Sequence, residues 1–251
     1  MRPILRFTGF VLLCLLALNM VLLQTGCNRA GYTIQTDQIN EENTQPIYKI
    51  AASLPQLRKH SDTTVQEKIN EVIAYYIESQ IVQFREDISV SQRYTENPKT
   101  NKTAGELEIE TKVGLISKNI VSMRVATYYH NAEAAYPQYI ERCFTFDTRN
   151  GDLLTLDRIF HPESGYLNIL SEYIAPRIAA KQTDGGFPVD TLLLKEATLP
   201  KPNNFTTFLL SPDRISFFFP YYLITAQKQP DVWVDVPYSE IEPLLLKQYR
   251  W

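Results

Sequence analysis

The sequence predicts an α+β fold, in which antiparallel sheets pack against one long helix in the N-terminal half, a second, kinked helix and a short C-terminal helix. Two patterns support this prediction: apolar residues recur every three or four positions after residue 62, and apolar and polar residues alternate strictly from residue 106. The predicted elements also lack the regular β-α alternation of a parallel sheet. Residues 46–251 contain neither a second linker nor an internal repeat, so we expect one domain, with an N-terminal part at about 46–137 and a C-terminal part at about 138–251.

The long helix is the clearest predicted element. Thr64 and Glu67 have the spacing of a capping box at its start. The apolar series that follows predicts one buried face, which must pack on a sheet or on other helices. Its members are Val65, Ile69, Val72, Ile73, Tyr76, Ile77, Ile81, Phe84 and Ile88.

Short runs of β-forming residues predict the strands. Glutamates alternate with apolar residues around 107–115, as in a strand with one face in water, and Asn150-Gly151 is a strong hairpin signal. The strands are predicted at 47–54, 107–115, 121–129, 139–146, 206–210, 214–219 and 232–236. A second helix is expected at about 163–182 with a kink at Pro176, and a short helix at about 239–248.

The first 27 residues have the pattern of a lipoprotein export signal. Two arginines and an apolar run at 7–23 precede Gln24-Thr25-Gly26 and then Cys27. We therefore predict that residues 1–26 are a signal peptide, that Cys27 carries a lipid such as palmitate, and that the protein lies at the extracytoplasmic face of a membrane in the cell envelope. Because an aliphatic residue usually stands where Gln24 does, a retained membrane anchor and ordinary secretion stay open as alternatives.

The segment after Cys27 and the net charge of the mature chain limit the classes of molecule that could bind the protein. Residues 27–45 are polar and show no hydrophobic period, so we expect the lipidated cysteine and a flexible tether there. Without residues 1–26, 23 Lys and Arg residues stand against 28 Asp and Glu residues. This excess of acids argues against nucleic acid as a partner and permits a cationic one.

No catalytic or metal-binding motif is present. The three histidines are far apart and have no neighbouring cysteine, so we expect neither a metal nor a cofactor, and no enzymatic activity. Cys143 is expected to be a buried, inert thiol. Two alternatives stay open: an enzyme acting on the cell wall with paired carboxylates, such as Glu133 with Glu141 or Asp147, and a structural or assembly lipoprotein with a broad exposed apolar patch.

Aromatic residues next to prolines are the best candidates for binding. Tyr136 and Pro137 lie in one irregular segment, and Tyr221 with Tyr222 lies in another, where binding residues tend to collect. We expect these tyrosines to contact a partner, with Glu133 and neighbouring acids giving a preference for positive charge.

Three stretches resemble a known family. They are Ile50–Asn70, then Tyr128–Phe160, and finally Phe217–Tyr222 together with Val236–Ile241. They resemble the extracellular domain of the lysozyme-sensing anti-sigma factor RsiV, a domain that also occurs beside the catalytic domain of PdaC-type peptidoglycan deacetylases. The family commonly has Gly-Ala-His-Pro where this chain has Ala134-Ala135-Tyr136-Pro137, so a phenol replaces the imidazole.

The resemblance implies a binding role at the cell envelope. We expect a membrane-anchored domain that recognises an extracellular or periplasmic protein or a glycan such as peptidoglycan, and a lysozyme-like cationic enzyme is the specific ligand that the resemblance suggests.

Overall fold

The computed structural model describes residues 30–94, 104–131, 134 and 136–250. The predicted signal peptide, Cys27 and Glu133 lie outside these residues. In the described part of the chain, no helix is long and apolar enough to span a bilayer. The predicted α+β class is confirmed: helices pack on a six-stranded sheet and on a three-stranded sheet.

The larger sheet is built from strands in sequence order. Its strands are β1 (Thr33–Thr44), β2 (Ile47–Arg58), β3 (Gly105–Ile116), β4 (Ile120–His130), β5 (Gln138–Asp147) and β6 (Asp152–Leu153). All neighbouring pairs are antiparallel except β2 and β3, which are parallel. A parallel pair needs a long crossover connection, and the long helix provides it.

The smaller sheet and the helices complete the fold. The smaller sheet contains β7 (Phe208–Leu210), β8 (Arg214–Phe219) and β9 (Val232–Pro237), all antiparallel. The α-helices are α1 (Thr63–Tyr94), α2 (Leu156–Ile159), α3 (Tyr166–Asp184), α4 (Thr191–Thr198), α5 (Tyr221–Ile224) and α6 (Tyr238–Ile241). Short 3-10 turns lie at Pro202–Phe205, Glu242–Leu244 and Lys247–Tyr249.

The predicted face of α1 packs on the larger sheet. Ile69, Ile73, Ile77, Phe84 and Ile88 are fully buried against apolar residues of β2, β3, β4 and β5. The helix begins two residues earlier than the capping box predicted, because Asp62 rather than Thr64 caps it: the Asp62 carboxylate accepts the backbone N–H groups of residues 64 and 65.

The prediction of a flexible tether through residue 45 is wrong for residues 33–44. They form β1, which pairs with β2 along its whole length. Tyr32, just before β1, is buried, and its hydroxyl donates to the carbonyl oxygens of Ser117 and Ile120, each at 2.9 Å. Glu41 of β1 also pairs with Arg85 of α1, so this strand belongs to the folded domain.

The boundary between the two halves lies later than predicted. We expected it near residue 137, but β5 pairs with β4 throughout and therefore belongs to the first half. The second core contains Leu154, Leu156 and buried residues of α3 and of the smaller sheet, together with Leu115 of β3 and Ile120 of β4. It joins the first half where β7 reaches β4, and Leu210 N–H donates to the Ser122 hydroxyl at 3.1 Å.

Two further elements differ from prediction. The short helix expected at 239–248 is replaced by α6 and two 3-10 turns, because Pro243 lacks the N–H group that a continuous helix requires. Helix α4 was not predicted, and its N-terminus is capped by the Asp190 carboxylate, which accepts the N–H groups of Leu192 and Leu193.

Candidate functional site

The face of the larger sheet that points away from α1 is partly uncovered. Side chains directly opposite each other on neighbouring strands share one face, and the register pairs Glu108 with Tyr128 and Tyr128 with Tyr139. Leu107 and Ile109, between the glutamates of β3, are buried on the helix side. We call the opposite surface the open face and define it by Glu106, Glu108, Glu110, Tyr128, Tyr139 and Glu141.

Three carboxylates in a row dominate the open face. Glu106, Glu108 and Glu110 occupy alternate positions of β3, are exposed, and make no ion pair with any residue that the structure describes. Alternate residues on a strand lie about 7 Å apart. The row therefore creates a local negative potential that a cationic partner could neutralise.

Glu141 on the same face is already neutralised. Its carboxylate accepts from Nε of Arg124 at 2.6 Å and from Nη2 of the same guanidinium, a two-pronged ion pair. Hydrogen bonding to Glu141 raises the pKa of Arg124, so this cation stays charged. Arg124 also lies over the indole of Trp233, with Cζ 5.2 Å from the ring centroid.

Two tyrosines add aromatic surface beside the glutamates. The rings of Tyr128 and Tyr139 meet edge to face with centroids 5.3 Å apart. Tyr139 is 66% exposed, so most of its ring is available for contact. Partial burial and the charge of nearby Glu106 raise the pKa of the Tyr128 phenol, which therefore remains neutral.

The open face forms the floor of a groove that consists of three adjoining spaces with shared lining residues. Its central part, about 490 Å³, is lined by the six defining residues together with Arg124, Ala126, Thr127 and Ile140. Through Arg124 it continues into a space of about 340 Å³ beside Trp233 and Asp235 of β9. Toward β1 and β2 it continues into about 320 Å³ beside Glu42 and Lys49. The groove thus runs from the first strand to the smaller sheet.

The predicted binding residues lie at the tip of the β4–β5 connection and on α5. Tyr136 is 69% exposed, and the Lys228 ammonium lies 4.1 Å from its ring centroid. Pro137 is half-buried. Tyr222 is 65% exposed and meets Tyr221 edge to face at 5.9 Å. The segment after α5 therefore reaches the β4–β5 connection.

The three adjacent phenylalanines of β8 divide between two faces. Phe217 and Phe219 are buried in the second core. Phe218 points to the other side and packs against Trp233 with centroids 5.1 Å apart. Both sides of this strand are therefore occupied.

The carboxylates considered for catalysis are held by structural partners. Asp147 is buried; burial raises its pKa, but hydrogen bonds from Arg149 and Tyr249 outweigh this and lower it overall. Glu141 is bound to Arg124. The lowered pKa of Asp147 is the opposite of what a general acid requires, and the Glu141 carboxylate is occupied by its ion pair.

The described residues contain neither a reactive cysteine nor a cluster of metal ligands. Burial raises the pKa of the Cys143 thiol to about 12, so the reactive thiolate is scarce at neutral pH. Among the residues described, no three His, Cys, Asp or Glu side chains lie close enough to hold a metal ion.

The sequence predicted only the glutamates of this site. The alternation of glutamates with apolar residues in β3 predicted a face in water, but not that Tyr128, Tyr139 and Trp233 border it. These residues come from β4, β5 and β9 and meet only through the fold.

Comparison with known proteins shows related domains. Residues 157–239 match the sequence model of a family described as "Protein of unknown function (DUF3298)". The chain is 29% identical over 184 residues to peptidoglycan-N-acetylmuramic acid deacetylase PdaC of Bacillus subtilis (strain 168). The match covers 73% of this chain but only 37% of that protein.

Two solved structures described as DUF3298 proteins share the fold of this chain. A member from Bacteroides fragilis NCTC 9343 superimposes with a TM-score of 0.60 at 18% identity, covering 87% of this chain and 95% of the other. A second, from Pseudomonas aeruginosa PAO1, gives 0.54 at 9% identity with the same coverage. At these identities the likeness concerns the fold alone.

Proposed function

We propose that the protein is a lipid-anchored, extracytoplasmic binding domain whose open face binds a cationic protein, with a lysozyme-like enzyme as the first candidate. The row formed by Glu106, Glu108 and Glu110 carries this proposal, because three carboxylates that form no ion pair with a described residue, on an uncovered sheet face, suit a positively charged partner. The similarity to PdaC, a protein named for its action on peptidoglycan, supports a place at the cell envelope.

Aromatic and charged groups on this face would act in different ways. The glutamates attract a cationic partner over a distance and raise its association rate, an effect that salt screens. Tyr139 offers an exposed, amphipathic ring of the kind enriched in protein interfaces. Tyr136 and Tyr222 would extend the contact at the end of the sheet.

A binding measurement with two matched triple variants tests this proposal. The first variant, Glu106→Gln, Glu108→Gln and Glu110→Gln, removes the three charges of the open face. The second, Glu67→Gln, Glu71→Gln and Glu78→Gln, removes three exposed charges of α1 and so changes the net charge equally. Affinity for egg-white lysozyme would be measured by calorimetry at low and high salt.

The first triple variant is expected to weaken lysozyme binding about tenfold or more at low salt, with a smaller loss at high salt. The α1 variant should bind nearly as the wild type does. No complex at micromolar concentrations would remove lysozyme as the ligand. An equal loss of affinity in both variants would show that lysozyme binding depends on the net charge of the protein and not on the open face.

The membrane anchor is tested separately. If Cys27 carries the lipid, the wild-type protein fractionates with membranes and Cys27→Ser does not become acylated. Metabolic labelling with a palmitate analogue is expected to mark the wild type alone. Labelling of the Cys27→Ser variant, or an unlabelled wild type, would contradict lipidation at this position.

A further inference from the structure

Strand β5 is an uncovered edge of the larger sheet over most of its length. It pairs with β4 on one side, and on the other side β6 pairs only with Phe146 and Asp147. No strand in the described part of the chain pairs with the rest of that side, residues 138–144, which we call the β5 edge. An edge strand of this kind presents N–H and C=O groups that can bind a further strand.

A hydrogen bond at the end of β5 shows which backbone groups face the β5 edge. The Thr145 carbonyl oxygen accepts from the Leu154 N–H at 2.7 Å, so it points away from β4. Successive residues of a strand direct their backbone groups to alternate sides, and β4 and β5 pair without a register shift. The N–H and C=O groups of Tyr139, Glu141 and Cys143 therefore point outward, and no turn or loop among the described residues bonds to them.

The β5 edge is complementary to itself in one antiparallel register. When a two-fold axis passes between Ile140 of two copies, Tyr139 of each copy lies opposite Glu141 of the other, and their outward backbone groups exchange hydrogen bonds. On the other face, Gln138 lies opposite Arg142, whose exposed guanidinium can donate to the amide oxygen. No two like charges lie directly opposite each other in this register.

The neighbouring registers are less favourable. The register changes in steps of two residues, because only outward groups of both copies can pair. Sliding the second copy in one direction places Glu141 directly opposite Glu141 of the other copy, and like charges in that position repel. Sliding it in the other direction places Pro137, which has no N–H group, opposite Glu141 and removes backbone hydrogen bonds. Charge and backbone together favour the register centred on Ile140.

The opposite edge of the sheet is less suited to such pairing. The outer strand there is β1, and its charged residues, Asp37, Glu41 and Glu42, are all acidic, so two copies of β1 would repel each other. The β5 edge carries one acid beside one base and no proline or lysine, residues with which edge strands commonly prevent pairing. Its Tyr139 and Ile140 are 66% and 39% exposed and offer apolar contact area.

We propose that two copies of the protein form a symmetric dimer through the β5 edge, by antiparallel pairing centred on Ile140. The two six-stranded sheets then become one continuous sheet. Opposite residues share a face, so the two open faces point to the same side. The central part of the groove is lined by Tyr139, Ile140 and Glu141 and therefore lies beside the interface, where the second copy extends it.

Cysteine crosslinking of the full-length chain, in the cells that produce it, tests the register. The Ile140 pair has Cα atoms about 4.5 Å apart, because it is not a hydrogen-bonded pair, and a disulfide can form at that separation. Oxidation of Ile140→Cys should therefore give a disulfide-linked dimer as the main species on a non-reducing gel. Arg142→Cys is the matched control, because residue 142 lies opposite residue 138, and it should stay largely monomeric. The wild type controls for the native cysteines.

The mass of the full-length protein in detergent micelles tests the interface without a new cysteine. Light scattering during size-exclusion chromatography is expected to give a protein mass of two chains. Ile140→Lys places two like charges at the two-fold axis and should halve this mass. Ile116→Lys, at an isoleucine of β3 that is 42% exposed, adds the same charge away from the β5 edge and should leave the dimer intact. Thermal unfolding of both variants shows that they are folded.

A wild type with the mass of one chain would overturn the proposal, and so would an Ile140→Cys variant that is crosslinked no more than the wild type. Equal crosslinking of Ile140→Cys and Arg142→Cys would contradict the register. A dimer that persists in Ile140→Lys would place the interface elsewhere and also overturn the proposal. None of these measurements involves lysozyme, so the dimer and the binding role of the open face fail independently.

Discussion

The contact between Arg124 of β4 and Trp233 of β9 connects the two sheets: the guanidinium lies over the indole, with Cζ 5.2 Å from the ring centroid. The same guanidinium donates two hydrogen bonds to the Glu141 carboxylate. Arg124 therefore links Glu141 of the open face to the smaller sheet. Both residues line the part of the groove where the two halves meet.

Arg124→Ala is expected to destabilise the protein by about 1–3 kcal/mol, because Glu141, whose side chain is only 10% exposed, would lose the guanidinium that hydrogen-bonds it. Urea denaturation measures this change. Adding Glu141→Gln to the variant should recover part of the loss. If the double variant is no more stable than Arg124→Ala, the ion pair is not the cause.

Tyr32 is expected to hold β1 in the domain. Tyr32→Phe removes the hydroxyl that donates to the Ser117 and Ile120 carbonyls and should cost about 1–2 kcal/mol. Tyr32→Ala should cost about 3–5 kcal/mol, as for other large buried aromatics. Thermal or urea unfolding measures both changes. Tyr75→Phe, at an exposed position of α1, is the control and should leave stability unchanged. If residues 27–45 were a flexible tether, the changes at Tyr32 would have no effect either.

Gly114 is expected to be required at the junction of the halves. It lies at a register shift in β3, and a Cβ there would collide with the Leu210 carbonyl oxygen and approach Leu209 Cδ1 to 2.7 Å. Gly114→Ala should therefore destabilise the protein by about 1–3 kcal/mol. An unchanged unfolding midpoint for Gly114→Ala would contradict the close approach.

Asp147 is expected to make stability depend on pH. Hydrogen bonds from Arg149 and Tyr249 lower its folded pKa, so its stabilisation is present above the pKa of an unfolded aspartate, about 3.9, and is lost as pH falls through the folded value. Asp147→Asn should cost about 1–3 kcal/mol at pH 7 and progressively less below pH 4. Urea midpoints from pH 7 to pH 3 measure this. A difference that stays constant over this range would contradict the role of the charge.

Elements whose apolar residues recur at a regular spacing could be predicted from the sequence, and elements without such a spacing were missed. Helix α1 has a regular apolar face, whereas the two isoleucines of β1, Ile34 and Ile39, are five positions apart and fall on opposite faces of the strand. Pairing with β2 and the anchor at Tyr32, both contacts with distant residues, decide that β1 forms. The order of apolar and polar residues within β1 predicts neither contact, because the partners lie elsewhere in the sequence.

The candidate sites show the same limit. The glutamates of β3 were visible as an alternating pattern, but only the position of the smaller sheet decides which part of that face stays uncovered.

Site-specific photocrosslinking tests the role of the open face most directly. A benzoylphenylalanine would replace Tyr139 on the open face or Tyr75 on α1, which is 78% exposed and serves as the matched control. We expect lysozyme to be crosslinked from position 139 and not from position 75. Crosslinking from position 75 with none from position 139 would place the partner elsewhere and contradict the proposed binding surface.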